Sequence, residues 1–471
     1  MQQEAKLTLI KGNKIKSFVD YRDFLPINMV GIVANIFGID GYMWQWPGLT
    51  QYGTLSGFSR GAIWNERFNK HYRVAGNDFI EIDVNGNVTV LGTVSGSGFV
   101  SMPNSFLTQA IIADGKYYLY DPTNGLREVV TANLGTPIDA VWVNGVYFFT
   151  DGESLYHTDS SSESTISVLQ FATAEFMPDA VLGVGKTQDN KVIAFGRYSV
   201  EYFVDQSTDN FRFRRVESRA IKLGIAGTYC KKEIEFNWYI LGGAKEEAAS
   251  VYVLGVGSGE KIATREIERI INQYDETQLS NAYLEVYSEL KNTFLIIHLP
   301  NEVLAFNVTF AKKFGIDQAW SMVVSDNVDL IPWRAIHGIF DPRKKVWCYG
   351  DKIGMQLGYM DETKATHYDE IAQWVLATPF IILETFSIDE LEIETIPGLA
   401  VVDNDATVFL SMTVDGQIYS NEKTIEYGQM YHYNKHFIAR KIGYISDWFS
   451  FKFRGSSRTR MAFSLTKILF G

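Results

Sequence analysis

The sequence predicts an all-β protein: a β-propeller of about seven blades, six being the alternative count, followed by a C-terminal β-sandwich of jelly-roll type. Three observations carry this expectation. Short β-type runs recur in sets of three or four, Asn-Gly and Asp-Gly pairs stand between them, and the composition favours packed strands, with 31 Phe, 25 Tyr and only 11 Pro in 471 residues. Asn-Gly and Asp-Gly supply the positive φ that tight hairpin turns require. Sets recurring roughly every 40–55 residues match the spacing of propeller blades, each a small antiparallel sheet.

In chain order, residues 1–48 form an N-terminal arm without the repeat, carrying Phe24-Leu25-Pro26 and the aromatic turn Trp44-Gln45-Trp46-Pro47-Gly48. The propeller is expected over 49–361. Its first set is 71–74, 79–84 and 88–91, turning at Asn85-Gly86-Asn87. The second is 110–113, 117–120 and 127–130, with turns at Asp114-Gly115 and Asn124-Gly125. The third is 141–143, 147–150 and 155–157, turning at Asn144-Gly145 and Asp151-Gly152. Later sets pair 192–195 with 200–204, 238–241 with 251–254, 294–299 with 303–306, and 338–340 with 346–349. The count falls to six if 333–360 completes an earlier sheet. Ile267, Ile270 and Ile271, at i, i+3, i+4, signal a helical insertion over 263–274. Rings of this kind are usually closed by an early strand that pairs into the last blade. Residues 362–371 read as a polar linker, and 372–471 as the sandwich, with 407–413, 438–445, 449–454 and 460–465 its clearest strands. Phe449, Phe451 and Phe453 alternate with Ser450, Lys452 and Arg454, giving one buried and one solvated face.

The formal net charge is −12, which argues against wrapping nucleic acid by phosphate neutralisation. Its distribution says more. Residues 371–430 hold ten acidic side chains against one basic, and residues 431–471 hold eight basic against one acidic. One reading has these halves pair within a single domain. The other has the acidic side of one copy meet the basic side of the next, a heterologous, ring-forming contact. The candidate ring-interface residues are Glu392, Glu394, Arg454, Arg458 and Arg460. No run reaches the roughly eighteen apolar residues of a membrane helix, and the start lacks the apolar core of a secretory signal. Cys230 and Cys348, far apart in sequence, are expected as buried thiols in a reduced protein.

No catalytic, cofactor-binding or metal-binding residues are expected. Gly255-Val256-Gly257-Ser258-Gly259-Glu260-Lys261 precedes the helical segment, but Glu260 stands where a P-loop needs Gly and Ile262 where it needs Ser or Thr, so it reads as an interblade turn. His432 and His436 have an i, i+4 spacing that suits a metal only on a helix, and their surroundings read as turn and strand. His298 lies in an apolar run and reads as a core histidine. Asp415-Gly416 reads as a hairpin, and no carboxylate pair stands out as a glycosidase dyad.

Several segments resemble the packaged-DNA stabilisation proteins of short-tailed double-stranded DNA phages, which form the tail hub or nozzle. The resemblance begins at Asp20-Tyr21-Arg22-Asp23-Phe24-Leu25-Pro26-Ile27-Asn28-Met29 and returns at Gly41-Tyr42, Trp46-Pro47-Gly48, Ser59-Arg60-Gly61 and Gly96-Ser97-Gly98-Phe99-Val100-Ser101-Met102. It is strongest at Gly224-Ile225-Ala226-Gly227-Thr228-Tyr229-Cys230-Lys231. It continues through Val200-Glu201-Tyr202-Phe203, Ser250 to Gly255, Leu295 to Pro300, Phe409-Leu410-Ser411 with Asp415-Gly416, and Lys441-Ile442-Gly443. The segments keep the same order from end to end and fade at 151–178 and 317–331. The resemblance implies a structural, non-enzymatic role. Such a protein, assembled in the host cytoplasm into the virion tail, forms a homo-hexameric ring below the head-to-tail adaptor protein. It continues the channel for passing double-stranded DNA and carries the tail needle or tip and the tail spikes or fibres. The alternative is a glycan-binding or glycan-cleaving propeller with a carbohydrate-binding sandwich. That protein would need aromatics and two carboxylates converging at one mouth of the propeller.

Overall fold

A computed structural model of the chain describes residues 3–8, 25–34, 40–174, 176–207, 210–326, 331–378, 380–382, 386–395, 407–415, 418–426, 437–445 and 448–470. Strands dominate these residues. The three α-helices among them, Arg265–Ile271, Glu276–Ser280 and Val308–Phe314, are each two turns or less.

Among the described residues seven antiparallel meanders follow one another. The first orders Ser59–Asn65, Lys70–Ala75, Asp78–Ile82 and Val88–Thr93, and the second Gln109–Ala113, Lys116–Asp121 and Gly125–Glu128. The third starts at Asp139–Val143, the fourth at Val181–Lys186, the fifth at Gly224–Ile225 and the sixth at Tyr283–Glu289. In the last, Ala335–Asp341, Val346–Asp351 and Gln356–Asp361 are followed by the early strand Gly48–Thr54, the closing arrangement expected from the sequence.

Local chemistry fixes these hairpins. Asp114 and Gly115 have φ of 52° and 71°, and Asn144 and Gly145 have 47° and 86°. Positive φ at both central residues defines the turn whose twist matches the flanking strands. A second device recurs where a strand ends in Asp. Asp121 Oδ1 accepts from the Thr123 and Asn124 amides at 3.0 and 2.8 Å, and its Oδ2 meets Arg127 at 2.7 Å. Desolvation opposes ionisation of this carboxyl, yet the bonds from Asn124 and Arg127 outweigh it and lower its pKa to about 2. Asp205 with Arg212 and Asp341 with Arg343 repeat the arrangement.

The helical insertion is shorter than the pattern suggests. Arg265–Ile271, with Thr264 as N-cap, buries Ile267, Ile270 and Ile271 and ends at Asn272. Asp275 and Gln278 then form a capping box that starts a separate helix.

The chain divides into two compact units: residues 1–51, 286–334 and 359–471, and residues 52–285 with 335–358. In the first unit two sheets enclose an apolar core. One sheet orders Met29–Ile32, Tyr42–Gln45, Ala462–Phe470, Phe386–Thr395 and Phe437–Ile445, with Gln3–Thr8 also on Ala462–Phe470. The other orders Trp374–Ala377, Trp448–Ser456, Thr407–Thr413 and Lys423–Glu426. Met29, Met43, Trp374, Leu391, Phe437, Phe451 and Phe463 pack between them. The alternation at 449–454 holds for the phenylalanines, but the opposite face is not fully solvated: Ser450 is buried and donates to the Thr378 carbonyl at 2.8 Å.

The N-terminal segment is thus an integral part of this unit. Asn28, at φ 52°, donates to the Val324 and Gln373 carbonyls at 3.0 and 2.7 Å and accepts from the Val324 amide at 2.9 Å. One side chain therefore ties its own segment to two others, 296 and 345 residues further along the chain. Trp46, 2% exposed, packs against Tyr287, Phe294 and Trp333 at centroid distances of 5.4 to 5.6 Å.

Candidate functional site

The residues expected at a ring contact have different fates. Arg460 is 3% exposed, its guanidinium 3.6 Å from the Trp44 ring centroid. It donates to the Gln45 carbonyl at 2.6 Å and forms a two-pronged ion pair with the buried Glu289, one prong at 3.1 Å. The sequence reading left it at the surface; Trp44 and Glu289 hold it inside. Arg454 is engaged by Glu422 through contacts of 2.5 and 2.6 Å and lies 4.4 Å from the Phe409 ring centroid. The side-chain hydrogen bond to Glu422 raises the Arg454 pKa, and the same bond lowers that of Glu422. Glu392 stands opposite Lys467 and Ile438 in the sheet, Glu394 stands opposite Leu465, and the Glu394 side chain lies outside the described residues. Arg458 is exposed. Exposed Arg440 meets Glu390 across adjacent strands at 2.9 Å. Where these pairs are seen, acidic and basic halves neutralise each other within the chain.

Three of the segments quoted above for their resemblance converge in the second unit. Arg60 donates to the Gly98, Gly76 and Ser95 carbonyls at 2.6, 2.9 and 2.8 Å, so its fork organises the 95–98 loop. Burial lowers the pKa of Arg60, opposed by the nearby Tyr229, Asp114 and Tyr118. Phe99 then sits edge-on to Tyr229, Tyr283 and His337 at 5.0 to 5.6 Å. His337 Nδ1 lies 3.0 Å from Ser59 Oγ, and Arg73 donates to Ser59 Oγ and to the His337 carbonyl at 2.7 and 3.0 Å. Beside them Asp139 binds Lys231 at 2.8 Å, Ser101 at 2.6 Å and the Val184 amide at 2.9 Å. Glu285 accepts from the Gly338 amide at 2.7 Å. Asp139 and Glu285 are 3% and 1% exposed, so these two carboxylates join sheet to sheet and are not presented to a ligand. Asp139, Glu285 and His337 were not legible as a group, because no local pattern links them.

The weaker motifs resolve simply. Gly255 to Ser258 is the turn of a hairpin within one sheet, with Gly255 donating to the Ser258 carbonyl at 2.9 Å, and Lys261 meets Glu268 at 2.8 Å. His298 is buried and stacks on Trp333 at 6.1 Å. Cys230 and Cys348 are buried free thiols, and burial pushes both pKa values up to about 12. Asp415 accepts from the Ile418 amide at 2.8 Å, as a turn residue does, while Gly416, His432 and His436 lie outside the described residues.

Successive antiparallel meanders, a two-sheet sandwich and a buried polar junction of joining groups define a protein of the propeller-and-sandwich class. The chain belongs to the bacteriophage P22 Gp10 family: its β-propeller description matches residues 5–365 and its β-sandwich description residues 373–470. The chain is similar to the tail hub protein gp10 of Salmonella phage P22, at 28% identity over 478 aligned residues covering 98% of each chain. It is therefore a component of a phage virion tail. Among solved structures it is similar to the extracellular domain of a hybrid two-component system from B. thetaiotaomicron, at 8% identity, 84% of this chain, 47% of that chain and TM-score 0.45. It is also similar to the Neurospora crassa Pan2 WD40 domain, at 6% identity, 66% of this chain, 95% of that chain and TM-score 0.41. Scores this low bear on neither fold detail nor function.

Proposed function

We propose that this chain is the tail hub of a short-tailed phage. A homo-hexameric ring of it sits below the head-to-tail adaptor, extends the DNA channel and helps retain the packaged genome until ejection. The observation that carries this reading is the end-to-end similarity to a tail hub protein, covering 98% of both chains. The role needs no catalysis, and the buried use of Asp139 and Glu285 supports that. The proposed organisation is a propeller over 49–361, a linker over 362–371 and a sandwich over 372–471, whose sheet is completed by strands from residues 1–48. Adaptor, tail needle or tip, and spikes or fibres are the proposed partners.

The ring contact proposed here brings exposed Arg458 to the acidic strand that carries Glu392 and Glu394 of a neighbour. Retention comes from ring closure and the plug the ring supports, since each Lys or Arg contact to phosphate would add friction to a sliding duplex. The net charge of −12 is in keeping with such a wall. The test is to package particles in the absence of this chain alone. Genome leakage, with weak and sequence-independent binding of duplex DNA by the isolated protein, is expected. Full retention, or tight sequence-selective binding at moderate salt, would overturn the proposal.

A further inference from the structure

His71, Asp341 and Cys348 meet inside the second unit, all three fully buried, with an imidazole nitrogen, a carboxylate oxygen and the thiol sulfur within 4.8 Å of one another. His71 belongs to the second strand of the first meander, Lys70–Ala75. Asp341 and Cys348 belong to the first two strands of the last, where Ile339 stands opposite Cys348. Among the described residues neither ring nitrogen of His71 has a hydrogen-bond partner, although the side chain is 0% exposed. A histidine buried in that state is uncommon, because buried polar groups are nearly always bonded. The acid and the thiol stand near enough to share an ion with it, yet neither is bonded to it. Arg343 fixes the carboxylate, donating to Asp341 at 2.7 and 3.1 Å and to the Ile82 carbonyl at 3.0 Å.

We propose that His71, Asp341 and Cys348 bind one zinc-class divalent ion that pins the first meander to the last. Nitrogen, sulfur and oxygen donors together suit a borderline ion such as Zn²⁺ and disfavour Mg²⁺ or Ca²⁺, which take oxygen alone. Three protein donors leave the fourth tetrahedral position to a water. Coordination exchanges the Cys348 S–H bond for a bond from sulfur to the metal and releases the proton to solvent, so uptake belongs to folding. Because the donors come from opposite ends of this unit's sequence, the ion would staple the joint at which its succession of sheets begins and ends. This inference stands independently of the tail-hub reading.

The test uses the full chain. Zinc content is measured after purification, and chain unfolded with chelator is refolded with one equivalent of Co²⁺. One ion per chain and a near-ultraviolet thiolate-to-cobalt charge-transfer band are expected. Cys348→Ser should abolish the band, and His71→Gln should shift or abolish it. A purified chain without metal that also shows no band on refolding would overturn the proposal. So would a band that survives unchanged in Cys348→Ser, since Cys230 would then be the ligand. Should either variant fail to fold, the wild-type metal content and spectrum decide alone.

Discussion

The meanders of the second unit and the paired sheets of the first are assembled by opposite routes. In the third meander, Asp139–Val143, Val146–Thr150 and Ser154–His157 each pair with the strand next in sequence. Turn residues such as Asn144-Gly145 set the register before any distant contact is needed. In the sandwich sheet, Ala462–Phe470 pairs with Gln3–Thr8, Tyr42–Gln45 and Phe386–Thr395, so its neighbours come from both ends of the chain. Closing such loops costs entropy that only later contacts repay. Locally encoded sheets depend on turns, whereas distantly encoded ones depend on a few buried polar keys, chiefly Asn28 and the Arg460–Glu289 pair.

The largest expected effect breaks one of those keys. Arg460→Ala strands the Glu289 carboxylate and should cost about 3–5 kcal/mol in equilibrium unfolding, whereas Arg460→Met with Glu289→Leu should recover much of that loss. A single-mutant cost near zero would remove the distinction between the two regions.

Next comes acid. His367 is buried, with Nδ1 3.1 Å from Ser325 Oγ, and desolvation followed by the Arg334 charge depresses its pKa to about 3. A base depressed on folding contributes stability above its ordinary value near 6.5, and that stability is lost as pH falls from there towards 3. Urea midpoints at pH 7 and pH 4.5 should therefore diverge more for the natural protein than for His367→Gln.

A smaller, local effect is expected in the meanders. Gly115→Ala forces a side chain into φ 71° and should cost about 1–2 kcal/mol. Faster amide exchange should be confined to the 109–121 hairpin; spread into the first unit would contradict local encoding. The smallest effect belongs to the exposed Arg440–Glu390 pair, whose removal by Arg440→Ala should change stability by no more than about 0.5 kcal/mol.

The same contrast explains what the sequence made legible. Asp114-Gly115 and Asn144-Gly145 announce their hairpins because the conformation they need excludes most other residues. The early strand closing the last meander was also foreseeable, as a rule of topology. Arg460 was misplaced because a count of charges along the chain carries no information on burial. Its neighbours Met461 and Ala462, both core residues, were the available hint. Asn28 lay inside a segment quoted for its resemblance, yet its partners at Val324 and Gln373 are invisible without the fold. His71, Asp341 and Cys348 are single residues whose proximity arises only when the first and last meanders of their unit come together.

The most direct measurement for the central claim is electron microscopy of the purified chain mixed with head-to-tail adaptor rings from the same phage. The tail-hub account predicts a sixfold ring of added density on the distal face of the adaptor, lost with Arg458→Glu although that variant keeps the melting transition of the parent. An adaptor that gains no density from the chain, or one decorated anywhere but at the channel exit, would contradict it.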